Sequence, residues 1–191
     1  MIKIGKNLSE WSSYSCQPTT KGELLDIIED RISKKGPNCD LNDIDVSLIT
    51  NMSKLFFMSD FNGDISGWNV HNVENMWFMF GSSKFNGNIS KWDVSKVENM
   101  EYMFYKSLFN NKISDWNVSN VNDMWCMFGY SIFNGDISEW DVSNVIDMYG
   151  MFAQSKFNQN ISNWNINKNC YVTGMFTGCP IKDEYKPVLP R

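Results

Sequence analysis

The chain has 191 residues, 42% of them hydrophobic and 15% aromatic, with a formal net charge of -5 and an isoelectric point near 4.9. That length and apolar content suit one domain with a large core. The acidic balance disfavours non-specific binding to nucleic acid or an anionic membrane, where a basic patch would be expected.

The start, MIKIGKNLSEWSSYS, shows no basic segment leading into an apolar one, and there is no long apolar run after it. The expectation is a chain without secretory signal or transmembrane span, working in the cytoplasm. Residues 1–36 read as an N-terminal segment and capping helix. Ile4, Trp11 and Tyr14 are expected to tuck against the first repeat unit, which begins at residue 37. Thr20 and Glu23 make a capping-box pattern, in which each side chain satisfies an orphan N–H at a helix start. Leu24, Leu25, Ile27, Ile28 and Ile32 recur at helical spacing. Lys34 and Lys35 suit the negative end of the helix dipole, and Gly36-Pro37 stops it.

From residue 37 to residue 180 the chain repeats itself every 24 residues. Phe61, Phe85, Phe109, Phe133 and Phe157 open five copies, and a degenerate copy opens at Pro37. The six copies are numbered coil 1 (37–60), coil 2 (61–84), coil 3 (85–108), coil 4 (109–132), coil 5 (133–156) and coil 6 (157–180). A period of this length marks stacked units, each too small to bury its own apolar face. Within a copy, the run from Asp64 to Trp68 reads as a short strand. Val73, Met76, Met79 and Phe80 fall at i, i+3, i+6 and i+7, which reads as a two-turn helix, and Ser95 with Glu98 supplies a capping box for one copy. The expected fold is therefore an α/β repeat solenoid. It is an LRR-like right-handed coil of six strand–turn–short-helix repeats with a parallel sheet, capped by the N-terminal helix. Residues 181–191 read as a C-terminal capping tail.

Equivalent residues should stack between copies. Trp68, Trp92, Trp116, Trp140 and Trp164 form one ladder, and Phe80, Phe104, Phe128, Phe152 and Phe176 another. Asn62, Asn86, Asn110, Asn134 and Asn158 form a polar ladder whose amides suit otherwise unsatisfied turn backbone. In the column Asp45, Asn69, Asp93, Asn117, Asp141, Asn165 the two types alternate. Acids in adjacent coils would lie ~5 Å apart, so the alternation reads as relief of repulsion in a close-stacked, partly buried slot.

The string FNGDISEWDVSNVIDMYGMF (133–152) resembles the BspA-like leucine-rich repeat proteins, and more narrowly their subfamily with FN-x-DIS-x-WDVS-x-V-x-x-M-x-x-MF repeats, known from gut bacteria, mycoplasmas, phages and viruses. The similarity spans about residues 37–186. It implies an LRR-like solenoid used for binding proteins, with adhesion roles at cell surfaces for many members, and it brings no catalytic residues.

Chemistry-specific patterns are absent from the sequence. The five cysteines match neither a disulfide framework nor a zinc pattern and read as free thiols. The acidic column Asp40, Asp64, Asn88, Lys112, Asp136, Asn160 is interrupted by a lysine, which argues against a calcium ladder. His71 stands where four other copies carry Ser. No P-loop, GxGxxG or HExxH occurs. The reading is of a non-enzyme without cofactor or metal.

What varies between copies points to function, because repeat arrays bind through their non-repeating surface positions. Trp77, Phe78, Tyr102, Trp125 and Tyr149 occupy the two slots after the first Met of the expected helix in their copies, and Tyr105 and Tyr130 lie just beyond. Exposed aromatics are what protein interfaces favour. A helical wheel places Phe78 and Tyr102 outward, and Trp77, Trp125 and Tyr149 at the flank. The expected function is a non-enzymatic protein-binding module, an intracellular adaptor or inhibitor of the kind a phage or mobile element uses to block a host protein. The alternative is a fragment of a bacterial surface adhesin binding host matrix or glycans. A nucleic-acid mimic is a third reading, opposed by the diluted charge of the Asp/Asn column.

Overall fold

The computed structural model describes residues 14–190. Ile4 and Trp11 lie outside the described residues, and Tyr14 is exposed. Helix α1 (Lys21–Lys35) forms with the expected capping box: the Thr20 side chain accepts from Glu23 N–H, and the Glu23 carboxylate accepts from the Thr20 N–H. Lys34 and Lys35 occupy its last turn, and Gly36 at φ 84 ends it. Leu24 and Ile28 are fully buried on coil 1, so α1 covers the leading end of the stack. No helix among the described residues is long and apolar enough to cross a membrane.

The α/β parallel-sheet solenoid does not form. Among the described residues there is no β-sheet, and α1 is accompanied only by a 3-10 turn at Asp183–Tyr185. In place of the strand expected at 64–68, the Asp64 side chain accepts from Ser66 N–H, and Trp68 N–H returns to Ile65 O. Two successive turns replace the extended segment. In place of the two-turn helix, residues with left-handed φ recur every four positions: Lys54 and Met58, Phe78 and Ser82, Tyr102 and Lys106, Cys126 and Tyr130, Gly150 and Gln154, Gly174 and Gly178. A right-handed helix cannot pass through such residues. Ser95 accordingly caps nothing; its N–H is bound by the Asp93 carboxylate.

Each coil instead presents a row of tight turns. In coil 1, Leu55, Phe57 and Ser59 N–H donate to Met52, Lys54 and Phe56 O within the coil. The alternate donors, Met52, Lys54, Phe56 and Met58 N–H, cross to Asn75, Trp77, Met79 and Gly81 O of coil 2. The same four bonds recur at every junction through coil 5 to coil 6. Coils touch in parallel at single residue pairs, from Asn51↔Asn75 through to Asp147↔Tyr171. The peptide units of this row therefore line up head to tail along the stack, carbonyls toward coil 1 and N–H groups toward coil 6.

The ladders form. Phe80 stacks on Phe104 at 5.7 Å, and Phe85 on Phe109 at 6.3 Å. Each ladder Trp is buried, and its indole N–H donates to a carbonyl of the preceding coil. Asn62 Oδ1 accepts from Asn86 N–H at 2.8 Å, and the relay repeats to Lys182 N–H in the tail. The Asp/Asn column is not a buried slot: all of its members but the half-buried Asp45 are exposed. From Asp45 to Asp141 each accepts from the backbone N–H two residues on, and that turn explains why both residue types serve.

Candidate functional site

In the turn row of each coil the first, fourth and fifth residues point inward, as Met76, Met79 and Phe80 do, with no measurable exposure. The second, third, sixth and seventh point outward. Those four outward columns hold the variable residues. All seven aromatic side chains expected from the sequence lie on this one face, and they touch. Phe78 contacts Trp77 at 5.4 Å and stacks on Tyr102 at 4.4 Å. Tyr102 meets Tyr105 at 5.1 Å and Trp125 at 5.7 Å. Tyr105 meets Tyr130 at 5.6 Å, and Trp125 meets Tyr149 at 5.8 Å with the rings at 88°.

Two further members escape the sequence reading. Phe57 packs edge-on against Phe78 at 5.1 Å, and Tyr171 stacks on Tyr149 at 5.7 Å. The aromatic strip thus runs from coil 1 to coil 6. The signal is present in the sequence: Phe57 stands 48 residues before Tyr105, in the same column, and Tyr171 stands 24 after Asp147. Gly81 and Gly129 separate the large rings of that first column. A Cβ on Gly81 would lie 2.5 Å from Phe78 Cδ1, and one on Gly129 would lie 3.1 Å from Tyr105 Cδ2. The glycines let neighbouring rings lie down over them.

The helical wheel misorders Phe78 and Tyr102 against Trp125 and Tyr149, while Trp77 is half-buried at the flank where the wheel puts it. Phe78, Tyr102, Tyr105 and Trp77 are half-buried in the strip. Trp125, Tyr130, Tyr149 and Tyr171 are exposed at 37%, 54%, 38% and 53%. With φ positive at Phe78 and Tyr102, the side chains leave the backbone in directions no helix allows. Burial, followed by the neighbouring Cys126, pushes the Tyr102 hydroxyl up to about 12.

Charge is laid out unevenly along the strip. Lys54 places its ammonium 4.3 Å from the Trp77 ring centre, and Lys106 sits over Tyr105 at 5.3 Å and Tyr130 at 5.6 Å. Glu101, Asp123 and Asp147 stand in coils 3 to 5. Asp123 Oδ1 accepts from Trp125 N–H at 2.9 Å, and Asp147 Oδ1 from Tyr149 N–H at 2.8 Å. Burial raises the Glu101 carboxyl above the usual range, and the Asp123 charge adds to it. Burial also raises Asp123, partly offset by the Trp125 N–H. Trp77 Nε1 is buried with no partner in hydrogen-bonding geometry, although the Glu101 carboxylate lies beside it.

Elsewhere the surface offers little chemistry. Among the described residues, no three His, Cys, Asp or Glu side chains converge as metal ligands. The five cysteines are free thiols. His71 Nδ1 pairs with its near neighbour Asn69 and with no nucleophile. An open polar hollow over Asp136, Ser138, Asn160 and Asn163 belongs to the repeated turns.

The model of the family described as "Mycoplasma protein of unknown function, DUF285" matches residues 31–132 and 106–184. The chain belongs to that family. The two matched stretches overlap and together take in all six coils, so the repeat itself carries the membership. No curated protein and no solved structure matches the chain.

Proposed function

We propose that this DUF285 chain is a non-enzymatic protein-binding repeat module whose binding face is the aromatic strip, acting inside a cell as an adaptor or inhibitor. The observation that carries the reading is the connected exposure of Trp125, Tyr130, Tyr149 and Tyr171 on one face of a regular stack. A stack built only for stability has no use for large rings in its outward columns, and the other faces carry mainly Asn, Ser, Asp and Lys, with scattered exposed aliphatics such as Leu108 and Ile146 but no connected rings. Rigid aromatic side chains bury much area for little conformational entropy, which suits an interface centre. Kinship with BspA-like repeat proteins, whose repeats bind other proteins, is in keeping with this reading and forms part of the proposal.

The test replaces the exposed rings rather than the half-buried ones. The variant Trp125→Ala/Tyr130→Ala/Tyr149→Ala and the natural chain are each used to capture partners from the native host, identified by mass spectrometry. One protein retained by the natural chain and lost by a variant that melts at a similar temperature is the expected result. Identical capture by both moves the site to another face.

A further inference from the structure

The coil 4 to coil 6 end of the strip differs from the other end in one respect. At the coil 1 to coil 4 end, the chain seats its own ammonium groups on the rings, Lys54 on Trp77 and Lys106 on Tyr105 and Tyr130. Trp125, Tyr149 and Tyr171 carry no cation from the described residues. Beside them stand Glu101, Asp123 and Asp147, half-buried in three successive coils, and none forms an ion pair among the described residues. Carboxylates and rings are tied together through the backbone. Asp123 Oδ1 holds the N–H of Trp125 and Asp147 Oδ1 that of Tyr149, which leaves the second oxygen of each free. The two rings meet at 88° and form the walls of a corner. In the adjoining outward column the side chains shrink from Tyr102 to Cys126, Gly150 and Gly174.

Resting on the reading of the strip as a binding face, we propose that this corner takes up a cationic side chain, arginine or lysine, from the partner protein, with the Trp125 and Tyr149 rings as walls and the Asp123 and Asp147 carboxylates as counter-charges. A cation is attracted to the faces of aromatic rings and more strongly where carboxylates share the site. The stack itself supplies no cation there, so the complementary charge must arrive from outside. The mutual repulsion that burial enforces among Glu101, Asp123 and Asp147 is relieved when it does. An acidic or wholly apolar partner segment would leave that repulsion in place.

The probe is a hexa-arginine peptide, with hexalysine as a second arm, titrated into the full chain while the Trp125 indole and Tyr149 amide resonances are monitored. Both signals are expected to move. Asp123→Asn/Asp147→Asn should weaken binding by about tenfold or more. Asp93→Asn/Asp141→Asn removes the same charge from exposed acids away from the strip and should change affinity by less than about twofold. Equal losses in the two pairs, or shifts confined to other coils, overturn the proposal. The native partner separates this proposal from the reading it rests on. Capture lost with Trp125→Ala/Tyr130→Ala/Tyr149→Ala but kept with Asp123→Asn/Asp147→Asn overturns the cation corner and leaves the binding face standing. Capture kept in both variants overturns both.

Discussion

The indole Nε1 of Trp92 donates to the carbonyl oxygen of Ile65 at 3.1 Å, in the coil before its own. Trp116 does the same to Ile89, Trp140 to Ile113 and Trp164 to Ile137. One residue type thus supplies an apolar rung, as in the Trp68–Trp92 stack at 6.4 Å, and a polar tie between coils. That double duty explains why Trp recurs where Phe would fill similar space. Trp116→Phe keeps a ring but removes one of the two donors to the Ile89 carbonyl, which retains the Trp92 N–H, and should cost about 0.5–1.5 kcal/mol. Trp116→Ala adds a cavity and should cost about 3–5 kcal/mol. Urea denaturation of the two variants checks the order; no loss in Trp116→Phe would assign the ladder to packing alone, and equal losses would assign it to the hydrogen bond.

The left-handed residues set a second expectation. Ser82 sits at φ 54, and its counterparts in coils 5 and 6 are Gln154 and Gly178. A side chain in this region costs about 1–2 kcal/mol, of which glycine's greater unfolded-state freedom takes back about 0.5–1. Ser82→Gly should therefore raise stability by several tenths of a kcal/mol to about 1 kcal/mol. Gly174→Val, which forces a β-branched residue to φ 67, should lower it by about 1–2 kcal/mol. Thermal melts of both variants decide the sign.

These turns mark the boundary of what is legible in the sequence. The period, the six copies, α1 with its capping box and the Phe, Trp and Asn ladders are all readable, because each repeats an identity at a fixed slot. The local conformation is not. Val73, Met76, Met79 and Phe80 face inward in a helix and equally in a row of turns, so apolar spacing alone does not separate the two. Gly150, Gly174 and Gly178 are the discriminating signal, since glycine at four-residue spacing in a helix-like run marks left-handed positions. The same ambiguity misplaces the strip. Its members are found by their variability, but the wheel turns Phe78 and Tyr102 outward and leaves Trp125 and Tyr149 at the flank. Phe57 is hidden because coil 1 is degenerate.

The trailing end of the stack is unlike the leading end. Met148, Gly150, Phe152 and Gln154 N–H donate to coil 6. Their counterparts Val172, Gly174, Phe176 and Gly178 have no acceptor among the described residues. The tail binds elsewhere on coil 6, through Ile161 N–H to Tyr185 O and Lys182 N–H to Asn158 Oδ1. Hydrogen exchange measured by NMR should show the coil 5 set protected near the global limit and the coil 6 set exchanging faster by several orders of magnitude. Equal protection would mean that this edge is covered in solution.

Ionised Asp123 lowers stability at neutral pH, and the sign is testable. The column that holds it reads Asn51, Asn75, Asn99, Asp123, Asp147, and Asn99 accepts from Glu101 N–H as Asp123 accepts from Trp125 N–H. An amide therefore meets the structural need. Burial raises the folded-state pKa of Asp123 above its unfolded value, with the Asp147 charge adding to the rise. A carboxyl so shifted stabilises the fold in its protonated form. Its ionisation weakens the fold as pH rises from the unfolded pKa through the raised folded one, and the full penalty remains above both. Asp123→Asn should be more stable than the natural chain at pH 7. The difference should shrink as pH falls through that window and vanish below the ordinary carboxylate range, as denaturation curves at a series of pH values would show. A variant less stable at pH 7 would mean that the carboxylate is satisfied in the free protein, and with it the case for an incoming cation would go.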